Sequence, residues 1–332
     1  MCHLYKTAVS IFFSLIISVI ASGFTYAQTC SCAGAPLLGA QSAGASGEGN
    51  FVAGITYEFN EITNLYSGTT RIKNDSAERN TQSTLLEFNY GITDRLSATG
   101  TFSYVRKQRI SGLSSPSGTQ ASTTAGLGDG MVLLRYTILP QTLWNRYRIA
   151  AGGGVKAPLG STSINNPNGL RFNADMQPGT GAWDGVLWSD LGVNFLPHST
   201  MSLSLSTSFR LTGTNERFVE DDDYQFGNEF VSILGLSGSI TERISFTLNA
   251  RYRSTASDQR NGINQPNTGG KWIGLIPDIF FSASERTVFK LSGQIPLYKN
   301  LNGLQPTTAY TASASFFINF NSSQNNFIHA NF

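Results

Sequence analysis

The sequence predicts an all-β protein, a transmembrane antiparallel up-and-down β-barrel of about 12 strands with its N- and C-termini on the periplasmic side. Three observations predict it. Apolar residues recur at every second position along most of the chain after residue 50. No segment after residue 28 is apolar for the 18 or so residues that mark a spanning helix. Charged residues are 13% of the chain, against about 25% in an ordinary soluble domain. Few charges among abundant Gly, Ser, Thr and Asn suit a wall that is wet on one side and oily on the other. The formal net charge of +2 is dispersed, which offers no basic patch and no reason to expect a nucleic acid as partner.

The first element is a targeting segment. Lys6 supplies positive charge, Ala8 to Ala21 form an apolar run, and Thr25-Tyr26-Ala27 is a small-residue cleavage site before Gln28. Residues 1–27 therefore read as a signal peptide and 28–50 as a periplasmic leader, followed by the barrel at 51–320 and a C-terminal tail at 321–332. The leader contains TCSCAG, whose Cys30 and Cys32 are weak metal candidates because the third and fourth ligands of a structural site are missing. Two incidental thiols are the plainer reading. An exported chain that spans a membrane with strands belongs in the bacterial outer membrane, with outer-membrane lipid around it.

The strands follow in order. FVAGITYEF (51–59) puts Phe51, Ala53, Ile55, Tyr57 and Phe59 on one face, because successive side chains of a strand point to opposite sides. TLLEFNYGI (84–92) and LSATGTFSYV (96–105) repeat the pattern around the tight turn Thr93-Asp94-Arg95, which makes them an antiparallel hairpin. MVLLRYTIL, YRIAAGGGVKA, VLWSDLGVNF, MSLSLSTSFRLTG, NEFVSILGLSGSI, ISFTLNARY, WIGLIPDIFFSA, TVFKLSGQIPLY and AYTASASFFINF complete the set. Each is close to the nine to eleven residues, roughly, that a tilted strand needs to cross a bilayer. Short connections alternate with long ones, the latter near 61–80, 106–127, 158–183, 212–227, 254–270 and 298–307, as periplasmic turns alternate with extracellular loops. Phe59, Tyr104, Tyr147, Tyr252 and Tyr298 near strand ends fit an interfacial aromatic girdle.

Strand charges all avoid the oily parity. Asp190, Glu229 and Asp278 share the opposite face with Glu58, Glu87, Arg135, Lys156, Arg210, Arg251 and Lys290, and the last seven are the candidate lumen-lining residues that would select solutes by charge. Trp188, Ile276 and Phe280 also fall on that inner face, where the simple pattern expects polar groups. AYTASASFFINF ends on the aromatic Phe320, the kind of closing strand that the barrel assembly machinery reads. The chain then runs on to Phe332.

Enzymatic chemistry finds no support. Only His3, His198 and His329 exist; the first leaves with the signal, and neither of the others sits where a Ser-His pair could face the outer leaflet. GGGVKAPLG lacks the spacing and the Ser or Thr of a phosphate loop. The acidic run Glu220-Asp221-Asp222-Asp223 reads as a solvated loop, with divalent-cation binding as the alternative. No cofactor is implied.

GLGDGMVLLRY (126–136), GGGVKAPLG (152–160), QPGTGAWD (177–184) and GQIPLYKNLNG (293–303) together resemble the bacterial outer-membrane family named for the meta-pathway of phenol degradation, which is transporter-like. The blocks span about 126–303, and the strand pattern extends the likeness to most of the mature chain. The resemblance implies an outer-membrane barrel that passes small molecules, hydrophobic or aromatic ones among them. The expected function is thus a porin-like channel or transporter for passive passage of small-molecule solutes. The alternatives are a structural or adhesive surface barrel working through its loops and, behind it, an outer-leaflet hydrolase.

Overall fold

The computed structural model describes residues 47–74, 77–113, 115, 118–142, 145–195, 201–219 and 222–320. Twelve of its strands form the barrel. They are β1 (Phe51–Ile62), β2 (Ala77–Gly91), β3 (Leu96–Ser111), β4 (Gly130–Leu139), β5 (Tyr147–Ala157) and β6 (Asp184–Asn194), then β7 (Met201–Leu211), β8 (Glu229–Ser239), β9 (Ile244–Thr255), β10 (Gly270–Ser284), β11 (Thr287–Thr307) and β12 (Tyr310–Asn319). Each pairs antiparallel with its chain neighbours, and β1 pairs with β12 from Val52↔Asn319 to Glu61↔Tyr310, which closes the ring. Closure leaves no unpaired edge, the condition for burying a sheet in lipid. Among the described residues no helix is long and apolar enough to cross a membrane.

The two faces are chemically opposite. Outward positions carry Tyr57, Phe102, Leu134, Leu187, Phe209, Leu248, Phe281 and Leu291, all exposed. Inward positions carry Thr101, Glu87, Lys156, Arg210, Glu229 and Asp278, all buried. This inverts a soluble protein, and it is stable only where the surroundings are oily and the interior is wet or internally paired. The inward apolar positions are real: Trp188, Ile276 and Phe280 lie inside and are buried. Cations cover two of these rings, Arg135 standing 5.4 Å from the Trp188 centroid and Lys290 5.4 Å from that of Phe280, an arrangement that lets an aromatic face serve a polar lumen.

The long connections are less loop-like than the alternation suggests. β2 begins at Ala77 and β3 continues to Ser111, paired with a returning strand at Gln120–Leu127. Short strands at Thr214–Val219, Asp222–Gln225, Gln259–Arg260 and Ile263–Asn264 form a separate four-stranded sheet within two further connections. β11 rises to Leu301, bends at Gly303 (φ +84°) and descends beside Asn64–Gly68. These extensions project beyond the lipid, where the outer face meets water and the inner one is buried with polar groups such as Thr81, Lys107, Gln305 and Thr307 on it, so pairing persists without the apolar alternation that would announce it. The signal segment, Cys30, Cys32, the Pro197 to Thr200 turn with His198, Glu220, Asp221 and the tail with His329 lie outside the described residues.

Candidate functional site

Twelve strands about 4.8 Å apart and tilted by about 40° close on a circumference of about 75 Å, a backbone diameter of about 24 Å. Side chains from opposite walls reach inward by about 6 Å each, leaving about 12 Å to be filled or kept open. What fills part of it is the segment 158–183 between β5 and β6, which folds back against the inner wall.

Its neck is set by two glycines. A Cβ on Gly160 would stand 2.5 Å from the Gly179 Cα, and one on Gly179 2.6 Å from the Gly160 carbonyl carbon, so any side chain at either position forces the two crossing backbones apart. Asp129 ties the neck to the barrel: it accepts from Lys156 Nζ (2.7 Å), Thr180 Oγ1 (2.6 Å), Thr180 N (3.0 Å) and Gly160 N (3.2 Å). Further in, the buried Gln177 staples the segment to itself, donating to Ile164 O (2.9 Å) and Phe172 O (3.0 Å) and accepting from Ile164 N (3.0 Å).

A short 3-10 turn at Ala174–Met176 then docks on β2 and β3. Lys107 Nζ donates to the carbonyls of Asp175 (2.9 Å) and Gln177 (2.7 Å), and Thr124 Oγ1 donates to that of Met176 (2.5 Å). The Asp175 carboxylate pairs with Arg79 and, at 2.8 Å, with Arg109. Burial pushes its carboxyl up, but the guanidinium groups of Arg79 and Arg109, the Lys107 ammonium and the Arg79 hydrogen bond outweigh this and hold it below the usual carboxylate range. Tyr224 and Asp258, which are hydrogen bonded to each other at 2.7 Å, are the other titratable groups acting on this region. A carboxylate depressed in the docked state favours docking at every pH above its undocked value and loses that contribution only as pH falls through the depressed one. Docking of the segment, read as protection of residues 158–183 from added protease, should therefore be the same at pH 7 and at about pH 5 and loosen only below about pH 3.8, the ordinary aspartate range.

Between the neck and β9 runs a chain of buried charges of alternating sign. Lys156 lies 2.7 Å from Asp129 and 3.2 Å from Asp184; Arg210 lies 3.6 Å from Asp184 and 3.7 Å from Glu229; Arg253 lies 2.5 Å from Glu229. A second group pairs Asp190 with Arg148 (2.8 Å) and Arg135 (4.0 Å), and a third pairs Lys290 with Asp278 (3.5 Å). The seven residues singled out from sequence thus fall into different circumstances. Lys156 and Arg210 are committed to the first chain, Arg135 to the second group and Lys290 to the third. Glu87 is buried with no partner for its Oε2, whereas Glu58 and Arg251 are half-buried.

The inner wall is therefore asymmetric. Under the inward segment, Thr81, Lys107, Thr124, Lys156 and Gln177 are buried. Across the ring Ile276, Asp278, Phe280 and Lys290 are buried too, but Thr56, Glu58, Arg251, Ser292, Gln294 and Ser313 each keep part of their surface open. Sequence reading missed Asp129, Asp175, Asp184 and Arg253; continuing the strand parity two residues would have found Asp184 and Arg253, but nothing local marks Asp129 or Asp175. In the outer sheet Asp222 pairs with Arg260 and accepts from Asn261 Nδ2 (2.8 Å). No cluster of metal-ligating side chains occurs among the described residues.

No protein-family model and no curated sequence matches the chain significantly. Solved structures do. The COG4313 outer membrane channel from Pseudomonas putida F1 is similar with a TM-score of 0.67 at 14% identity, covering 84% of this chain and 98% of its own. The translocator domain of the autotransporter NalP from Neisseria meningitidis is similar with a TM-score of 0.47 at 10% identity, covering 87% of this chain and 95% of its own. At the first of these scores the likeness establishes the fold, a closed twelve-stranded barrel of the outer-membrane kind.

Proposed function

We propose that this chain is a bacterial outer-membrane channel that passes small molecules down their own gradient, with its termini in the periplasm and its long connections outside. The observation that carries the proposal is the asymmetric lumen. A barrel serving only as an anchor gains most by filling its interior with close-packed side chains, yet here Thr56, Glu58, Arg251, Ser292, Gln294 and Ser313 keep part of their surface open, although segment 158–183 fills one side and Ile276, Asp278, Phe280 and Lys290 are buried on β10 and β11. That leaves a polar strip along β11, β12 and β1 as the path, with Arg251 of β9 reaching it past the buried inner face of β10, and with Glu58 and Arg251 as opposite charges that select by sign and orient dipolar solutes. The similar Pseudomonas putida structure is described as an outer membrane channel, which supports the reading. The four glycine-rich blocks support the finer assignment to the phenol meta-pathway family. Residues 1–27 would serve as the export signal, and the barrel assembly machinery would insert the chain.

Purified protein reconstituted in a planar bilayer should give discrete current steps in potassium chloride, and proteoliposomes should admit small aromatic solutes faster than protein-free ones. A silent bilayer together with impermeable vesicles would leave only a plugged scaffold.

A further inference from the structure

We propose that Arg79, Lys107 and Arg109 form a carboxylate-binding subsite at the outer mouth of the lumen, filled by Asp175 when segment 158–183 is docked and by an organic carboxylate solute in its place. This deepens the channel reading and rests on it for the role of the site, though not for its binding chemistry.

The arrangement is one that strand pairing alone disfavours. Arg79 and Arg109 are direct cross-strand partners, and Thr81 with Lys107 is the next pair on the same face of the ladder. Like charges directly opposite each other on a sheet are destabilising, and here a third cation is added two residues away. Such a group is tolerable when an anion sits between the guanidinium groups, and the anion present comes from the inward segment, not from the barrel wall. Arg79, Lys107 and Arg109 all bear on the Asp175 carboxylate, with the Asp258 carboxylate also acting on it.

Asp175 also uses the site incompletely. Both guanidinium contacts fall on its Oδ2, while its Oδ1 and Arg79 Nε are buried without a hydrogen-bond partner. Arginine binds a carboxylate best with two parallel N–H donors on two oxygens. A free carboxylate, unconstrained by the turn at Ala174–Met176, has both oxygens to offer. Access exists as well, because the Asp175 side chain keeps 30% of its surface open. The tethered carboxylate thus behaves as a built-in competitor, and its displacement loosens the segment that fills the lumen.

The test is a calorimetric titration of sodium benzoate into the detergent-solubilised full chain, with benzyl alcohol as the uncharged analogue of the same size. Wild type, D175N and the triple variant D175N/R79Q/R109Q are compared, each checked for β-sheet circular dichroism. Removing the competitor should tighten benzoate binding by about tenfold or more, since an apparent affinity falls with the fraction of protein whose site is vacant. Benzyl alcohol should show no such difference, and the triple variant should lose benzoate binding. If the triple variant does not fold, D175N/R109Q decides, with benzoate binding at least about tenfold weaker than in D175N once half the fork is gone. Equal benzoate affinity in wild type and D175N, or benzoate binding retained after loss of the arginines, overturns the subsite. Because binding is read without transport, a silent bilayer would remove the channel and leave this result standing, and absent binding in a conducting protein would do the reverse.

Discussion

Glu229→Gln is expected to lower the stability of the folded barrel by about 3–5 kcal/mol, the cost of breaking a buried ion pair by deleting one partner. Glu229 is 1% exposed and stands between Arg210 at 3.7 Å and Arg253 at 2.5 Å. Glutamine keeps the shape and loses the charge, so the chain from Asp129 to Arg253 retains three cations for two carboxylates. Arg210 still has Asp184. Arg253 loses the carboxylate it pairs with at 2.5 Å, and its stacking over the Trp272 ring at 5.0 Å is worth far less than an ion pair in a site closed to water. Denaturant unfolding in detergent, followed by tryptophan fluorescence, measures the loss. Adding Arg253→Gln should recover part of it, because the charge left behind is then removed too, and the double-mutant cycle gives the coupling. Cutting the exposed Asp222–Arg260 pair in the outer sheet should leave the unfolding midpoint where it was, since both groups return to water.

That contrast bears on how much of the molecule its sequence reveals. The barrel is legible because lipid imposes a rule that no strand can evade: from Ile55 to Phe316, a residue's parity states its side, and the charges obey it. The strand count follows from the same rule. The loop structure does not, because above the membrane one face of β2, β3 and β11 is covered by other connections and not by lipid, and polar residues such as Thr81, Lys107, Gln305 and Thr307 are buried there without an apolar alternation. Glu58 and Arg251 are legible as inward groups, but whether an inward group is open or spent is a matter of what lies opposite. Lys156 looks like Glu58 in the sequence, yet it is enclosed by Asp129, Asp184 and Thr180, two of which come from outside the strands. Asp175 is the extreme case. Its role depends on a segment folding back about the crossing of Gly160 and Gly179, and neither periodicity nor composition encodes that turn. Inward aromatics such as Trp188 and Phe280 break the pattern because a cation covers each ring, Arg135 from two strands away and Lys290 from the adjacent strand, a compensation visible only once register is known.

Leu134→Arg should cost about 2–4 kcal/mol in the folded stability of the lipid-embedded barrel, whereas Leu170→Arg should cost nothing measurable. By exposure alone the expectation would be the reverse or equal, since Leu134 is 49% and Leu170 66% open. The difference lies in what touches them. Leu134 is at the middle of β4, between Ala98 of β3 and Gly153 of β5, in the belt that runs through Phe102, Val155 and Leu187 around the ring. If hydrocarbon covers that belt, a guanidinium there must be dragged toward the headgroups or leave a water defect in the bilayer. Leu170 lies in segment 158–183 beyond the strands, next to the turn that Asn166 closes by accepting from the Leu170 amide at 3.0 Å, and water already surrounds it. Folding titrations in lipid vesicles, with urea as denaturant, compare the two directly. Equal tolerance at both positions would mean that the belt faces water or a polar partner, and the barrel would then have to be a soluble structure whose greasy side is covered by something other than lipid.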